Sequence, residues 1–257
     1  MLNSAEERQA KIVALLHNEL FLDINALTKR FRISMATARR DLVDLEEAGL
    51  LRRTHGGAVS VSQVSQGPGN ATRAISQLAE KRIIAQTAAE MIADGDVVLL
   101  DAGTTSLEVA KLLIGRKDLT FITNGIDIIA ELTRHEVPNF YAVGGEFGEI
   151  NRSFRGPLAE HFIRQFKVDK LIMNAASIDI GRSAIFTGSS ANASIQKAMV
   201  DVSNRTIVVA DHTKFTKSSF SLAAKIEEVG VIITNEGART MIETAPEKLR
   251  KKFVIAS

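Results

Sequence analysis

Between Ser34 and Val59 the chain reads SMATARRDLVDLEEAGLLRRTHGGAV, and these are residue types that contact a nucleic acid. Thr37, Arg39 and Arg40 fall in the first two turns of a helix that Ser34 can cap. Side chains at that end of a helix reach base edges in the major groove of DNA, or the flanking phosphates. Ser34, with the free N–H groups of the helix start, suits a phosphate. Arg52, Arg53 and His55 follow on a segment that can touch the backbone or the minor groove. An Arg-rich helix face is ordinarily just a solvated face. Here a cap, an inner apolar stripe, a terminating Gly49 and a basic wing occur together, and the conjunction favours DNA. A bidentate Arg–guanine contact is worth roughly 1–3 kcal/mol of discrimination, whereas a phosphate contact adds salt-dependent affinity.

A second set of candidates lies at the ends of apolar runs in the later chain. Asp101 leads Gly103, Thr104 and Thr105, and Asn124-Gly125, Gly144-Gly145 and Asp211 to Lys214 end further runs. Backbone N–H groups and hydroxyls at Gly103, Thr104 and Thr105 suit a phosphate or carboxylate. Lys214 supplies a counter-charge, and Asp101 and Asp179 are acceptors for sugar hydroxyls. Any one such loop is ordinary turn chemistry. Several at the carboxyl ends of strands point to a small anionic ligand. No GxxxxGK[ST] sequence or dinucleotide glycine spacing is present. The five His (17, 55, 135, 161 and 212) are scattered, and cysteine is absent. Neither a metal nor a cofactor is therefore expected.

The elements that must hold these residues can be read in order. Helices are expected at 6–17, with Ile12, Val13, Leu15 and Leu16 inward, and at 24–31 behind an Asp23 cap. The third helix, from Ser34 to Gly49, turns Ala38, Leu42 and Leu45 inward, which makes a helix-turn-helix. A two-stranded wing follows at 50–61. Ser, Gln, Gly, Pro and Asn then dominate a linker, 61–72. Beyond it, apolar strands near 97–101, 119–123, 140–143, 170–175, 206–210, 231–234 and 253–255 alternate with helices near 75–93, 106–113, 126–134, 157–166, 192–202 and 239–244. That alternation indicates a parallel-rich, three-layer α/β domain. The expected organisation is a winged helix-turn-helix at 1–60, the linker, and an α/β domain at 73–257.

Composition agrees with this division. The 257 residues are 45% apolar and 24% charged, as in a soluble globular protein, and the formal net charge is only +2. Lys29, Arg30, Arg32, Arg39 and Arg40 fall within residues 29–40 without an acidic residue, while Asp41, Asp44, Glu46 and Glu47 follow. This predicts one basic face in a balanced domain. No signal peptide or membrane-spanning run is visible, and a cytoplasmic location is expected.

The chain resembles the DeoR family of bacterial transcriptional regulators over nearly its whole length. The most specific part is Ser34, the run Thr37-Ala38-Arg39-Arg40-Asp41-Leu42 and the wing His55-Gly56-Gly57-Ala58. Asp101 to Thr105, Thr123-Asn124, Gly144-Gly145, Gly156-Pro157 and Asp211 to Phe215 also look like family motifs. The resemblance implies a sensor domain similar to ribose-5-phosphate isomerase that binds a phosphorylated sugar or related metabolite and relieves repression. Ala38 stands where the family commonly has Ile, trimming an inner contact. Asn174 and Ser177 replace common Gly residues, and Asn192 and Gln196 replace an acid and a Lys. These departures imply an unusual effector or weak affinity. The expected function is a DNA-binding repressor of carbohydrate-metabolism genes, with an operator, a phosphorylated effector and a homo-oligomer, dimer or tetramer, as its partners. The alternative is a sugar-phosphate isomerase-like enzyme carrying a DNA-binding headpiece, with Asp179 as base and Lys214 stabilising the developing charge.

Overall fold

Apolar residues in the first sixty positions recur at helical spacing, and in the computed structural model they close a small core. The structure describes residues 5–18, 22–48, 50–54, 56–60, 73–74 and 76–257. Gly49, His55, Ile75 and the linker at 61–72 lie outside them. Two units separate, Met1–Gly69 and Asn70–Ser257.

In the first unit, α1 (Ala5–Asn18) turns Ile12 and Leu16 inward. A two-residue strand, β1 (Leu22–Asp23), leads into α2 (Ile24–Phe31), whose Asp23 cap accepts from the N–H groups of Asn25 and Ala26. Arg32, in the left-handed region at φ 53°, ends α2 and starts the turn. Ser34 Oγ then accepts from the Thr37 N–H at 3.1 Å and opens α3 (Met35–Glu47). The wing is β2 (Leu51–Thr54) paired antiparallel with β3 (Gly57–Ser60), and β1 adds to the far side of β3. Leu27, Leu42, Leu45, Leu51 and Ala58 complete the core with Ile12, Leu16 and Leu22. Ala38 is fully buried.

The second unit opens with α4 (Leu78–Glu90) and then alternates β4 (Val97–Leu100), α5 (Thr104–Leu113), β5 (Thr120–Thr123), α6 (Ile126–Arg134) and β6 (Phe140–Ala142). A hairpin, β7 (Glu146–Gly148) with β8 (Ser153–Arg155), precedes α7 (Pro157–Ile163) and β9 (Val168–Asn174). Next come β10 (Ser177–Asp179), β11 (Ala184–Thr187), α8 (Ser190–Asp201) and β12 (Ser203–Val209). A 3-10 turn (His212–Phe215), β13 (Ser221–Lys225), β14 (Val231–Asn235), α9 (Arg239–Glu243), α10 (Glu247–Arg250) and β15 (Phe253–Ala256) complete it.

Seven strands form one parallel sheet in the order β15-β14-β12-β9-β4-β5-β6. Strand side chains alternate between faces. Val98 and Leu100 therefore pack with Ile84, Val109 and Ile128, while Leu99 packs with Ile163, Ile195 and Met199 on the other side. The result is a three-layer α/β unit. The chain adds strands to one side of β4 as far as β6, then returns to its other side at β9. Strand order thus reverses between β4 and β9, which puts the ligand crevice of such a sheet beside their carboxyl ends.

The structure also holds elements the sequence pattern left unassigned: the β7–β8 hairpin and an antiparallel sheet, β10-β11-β13. Their strands run three to five residues and mix Glu, Gly, Ser and Asp with apolar residues, too short to set up a period. The expected helix at 106–113 begins two residues earlier, so Thr104 and Thr105 lie in its first turn.

Candidate functional site

On α3, Ser34, Arg39 and Arg40 are exposed and Thr37 is half-buried, while Ala38, Asp41, Leu42 and Leu45 face inward. Helical spacing makes this division, because positions 38, 42 and 45 share one side. Besides that core, a partly buried ion pair holds the helix. Arg8 of α1 reaches Asp41 with Nε to Oδ2 at 2.6 Å and Nη2 to Oδ1 at 2.8 Å. On the wing, the Arg53 N–H donates to Glu46 Oε1 at 2.9 Å and its Nε to Oε2 at 2.7 Å. Arg53 thus ties the first wing strand to the end of α3. The side chain of Arg52 and all of His55 lie outside the described residues.

At the reversal between β4 and β9, Asp101 is 4% exposed. Its Oδ2 accepts from the Gln196 amide at 2.7 Å and from the Asn174 N–H at 3.1 Å. Burial pushes its carboxyl up to about 6, against the pull of the hydrogen bonds from Gln196, Asn174 and Ala102. Asn174, the last residue of β9, donates from Nδ2 to the Asp101 carbonyl at 3.1 Å and to Ser106 Oγ at 2.6 Å. Its side chain lies over Gly103, where a Cβ would stand 2.5 Å from it. Gly103 therefore admits Asn174 at the start of α5, which no side chain caps. Thr104 is half-buried and Thr105 buried in that first turn.

Cations gather nearby. Burial pushes Lys214 down to about 8, against the attraction of Asp211, 3.9 Å away, and with Lys217, Arg73 and Lys81 repelling it. Lys81 on α4 is lowered by burial, with Asp211 opposing and Arg73 reinforcing. Its Nζ donates to the carbonyls of Arg73 and Ser76. Arg73 is lowered by burial and held up by the charge of Asp101, and it donates to the Ile150 carbonyl at 3.1 Å and Asn151 Oδ1 at 3.0 Å. Arg73, Lys81, Lys214 and Lys217 thus share one field with the carboxylates Asp101 and Asp211, and Glu80 and Glu108 add theirs at Lys81. Arg73 and Lys81 were not among the expected residues. Lys81 had one signal: it occupies the inner stripe of α4 with Ile84, Ala85 and Ala88.

Other expected residues serve the frame. Asn124 Oδ1 accepts from the Ala102 N–H at 2.9 Å and its Nδ2 donates to the Phe154 carbonyl at 3.1 Å, so the amide joins the loops after β4 and β5 to strand β8. Gly125 lies against Ala102, with 3.1 Å from its Cβ position to the Ala102 Cα. Gly145, at φ 136°, passes so close to Arg155 that a Cβ would stand 2.7 Å from its carbonyl oxygen, while open space surrounds Gly144. Asp179 ends β10, in the antiparallel sheet β10-β11-β13 and not in the parallel one. Its Oδ1 accepts from the Arg182 N–H at 2.9 Å, and Oδ2 lies 3.7 Å from the Arg182 guanidinium. It lines a cavity of about 560 Å³ with Ser177, Arg182, Phe215, Lys217 and Met241, which neither Asp101 nor Lys214 lines. Among the described residues no cluster of three or more His, Asp or Glu is arranged to hold a metal, and no helix is long and apolar enough to cross a membrane.

Comparison with known proteins matches both units. Residues 8–64 fit the DeoR-like helix-turn-helix domain and residues 76–236 the DeoR C terminal sensor domain. The transcriptional repressor AccR of Agrobacterium fabrum is 66% identical over 255 residues, covering 99% of each chain. The lactose phosphotransferase system repressor of Staphylococcus aureus is 29% identical over 93% of this chain and 95% of its own. Among solved structures, ribose 5-phosphate isomerase A from Methanocaldococcus jannaschii aligns over 55% of each chain at 16% identity and a TM-score of 0.42, a likeness too slight to bear on function.

Proposed function

The chain belongs to the DeoR family of DNA-binding transcriptional regulators, and from that premise we propose that it represses carbohydrate-metabolism genes until a phosphorylated sugar or related metabolite releases it. Its relatives support the repressor half: AccR is named a transcriptional repressor, and the Staphylococcus aureus relative a lactose phosphotransferase system repressor. The effector half rests on one observation: Arg73, Lys81 and Lys214 interact with one another, with Asp101 at the end of β4 and with Asp211 beyond β12, beside the point where strand order reverses. Cations bind the phosphate, and Asp101 accepts from sugar hydroxyls. Gly103, Thr104 and Thr105 present the start of α5 to the same ligand, and Gly144 leaves room beside it. On the DNA side, Thr37, Arg39 and Arg40 read the groove, while Ser34, Arg52, Arg53 and His55 hold the backbone.

This reading includes no catalysis. An isomerase needs a positioned base next to the substrate carbonyl, and the Asp179 carboxylate is engaged by Arg182. It does include a cytoplasmic homo-oligomer, dimer or tetramer, because two-fold operators place recognition helices roughly 34–36 Å apart. Fluorescence anisotropy of the full chain on its own promoter, at physiological ionic strength, tests the proposal. The expected result is a preference over random duplex of about a thousandfold or more, weakened by at least one sugar phosphate that also raises the melting temperature. Equal affinity for promoter and random duplex, with and without such metabolites, overturns it.

A further inference from the structure

Gln196 of α8 is 5% exposed, and both hydrogens of its amide are used. One reaches Asp101 Oδ2 at 2.7 Å and the other the Asn174 carbonyl at 3.0 Å. Turning the amide over would set its oxygen against a carboxylate and a carbonyl, so its neighbours fix the orientation. The amide oxygen Oε1 is then buried and has no hydrogen-bond partner among the described residues. A buried acceptor without a donor is unfavourable, and such groups in folded proteins take a partner from water or a ligand. Oε1 and the nitrogen share one carbon, so this acceptor belongs to the amide that holds the Asp101 carboxylate.

A neutral acceptor on the amide that holds a carboxylate defines what can bind it. A group that satisfies Oε1 must bring a hydrogen, as a hydroxyl of a polyol does. A carboxylate or second phosphate brings only lone pairs and negative charge, and is repelled there. A lysine at 196 would keep donors toward Asp101 and the Asn174 carbonyl and replace the free acceptor with a cation. We propose that Gln196 is a specificity-determining residue of the effector pocket: its carbonyl oxygen accepts from a ligand hydroxyl, so the pocket takes a polyol monophosphate and rejects ligands with a second anion at that point. The proposal rests on the reading of this pocket as a sugar-phosphate site.

The test is isothermal titration of the full chain and of Gln196→Met and Gln196→Lys proteins. The ligands are D-ribose 5-phosphate, D-glucose 6-phosphate, their singly deoxygenated analogues and 6-phosphogluconate, with circular dichroism checking the fold. For a monophosphate that binds, loss of one hydroxyl is expected to weaken binding to the wild-type chain about tenfold. The same loss should have no effect in Gln196→Met. Gln196→Lys should shift preference toward 6-phosphogluconate by about tenfold or more. If Gln196→Met does not fold, Gln196→Lys decides alone, because it keeps the donors. A wild-type chain that binds a monophosphate while the variants keep its deoxygenation penalty and ligand ranking overturns the role of Gln196 and leaves the sugar-phosphate reading standing. A wild-type chain that binds none of these ligands overturns both.

Discussion

The Asp101 carboxyl is enclosed by β4, β9 and α8, where an ionised oxygen loses its water and regains only three or four hydrogen bonds. Burial prevails over those bonds and lifts it from 3.8 to about 6. Between those two values the folded chain holds a proton that the unfolded chain releases. Stability from this group is therefore greatest at low pH and declines as pH rises through the window from about 4 to about 6. The full effect is about 3 kcal/mol for a shift of roughly two units. Asp101→Asn removes the titration. Urea unfolding of the wild-type chain and of Asp101→Asn should thus give a stability difference that changes by about 2–3 kcal/mol between acidic and neutral solution, wild type losing ground as pH rises. Parallel pH profiles would refute this account of Asp101. Lys214, lowered to about 8 by burial, sets the opposite limit: above that pH it loses its charge, and affinity for a phosphorylated ligand should fall.

At the scale of helices and strands, the pattern in the sequence carried far where an element was long enough to show a period. Helices α1, α2 and α3 and every strand of the parallel sheet lie within a few residues of their expected positions, because caps such as Asp23 and Ser34 and unbroken apolar runs such as Val97–Leu100 are local signals. The antiparallel pieces were not legible, since strands such as Ser177-Ile178-Asp179 are defined by the partner they pair with and not by their own composition. In the candidate site, Asp101 and Gly103 to Thr105 meet at the start of α5 as expected, while the charges around them were not legible. Arg73 and Lys81 acquire their meaning from folding that brings them to Lys214 and Asp211. Asp41 is the same case: in Arg39-Arg40-Asp41 it reads as surface charge, yet its partner is Arg8, 33 residues earlier. With the Asp41 side chain 3% exposed, removing Arg8 leaves a buried carboxylate without its ion-pair partner. Arg8→Ala is accordingly expected to lower the stability of the first unit by about 3 kcal/mol, whereas Arg39→Ala should stay within about 0.5 kcal/mol. Thermal melts followed by circular dichroism, with promoter binding measured alongside, separate the two. Equal melting temperatures for both variants would remove Arg8–Asp41 as the support of the recognition helix.

For the whole molecule, the question is how a ligand in one unit alters DNA binding by the other. A ligand that binds the DNA-competent and DNA-incompetent arrangements equally changes nothing, however tightly it binds. Release from the operator therefore requires that the effector bind the free protein more tightly than the DNA-bound protein. The two factors must be the same by linkage. If a sugar phosphate weakens promoter binding tenfold, promoter DNA must weaken sugar-phosphate binding tenfold. Replacing Arg39 and Arg40 together with Ala takes exposed side chains from the face of α3 proposed to read the groove and none from the core. That double variant should lose promoter specificity and retain the wild-type affinity for the effector, now insensitive to added promoter. Anisotropy on the DNA and calorimetry on the ligand measure the two sides. Retained promoter specificity in the double variant would remove Arg39 and Arg40 from the reading face. Unequal coupling factors in the wild-type chain would mean that the ligand acts through a step other than the equilibrium between these two arrangements.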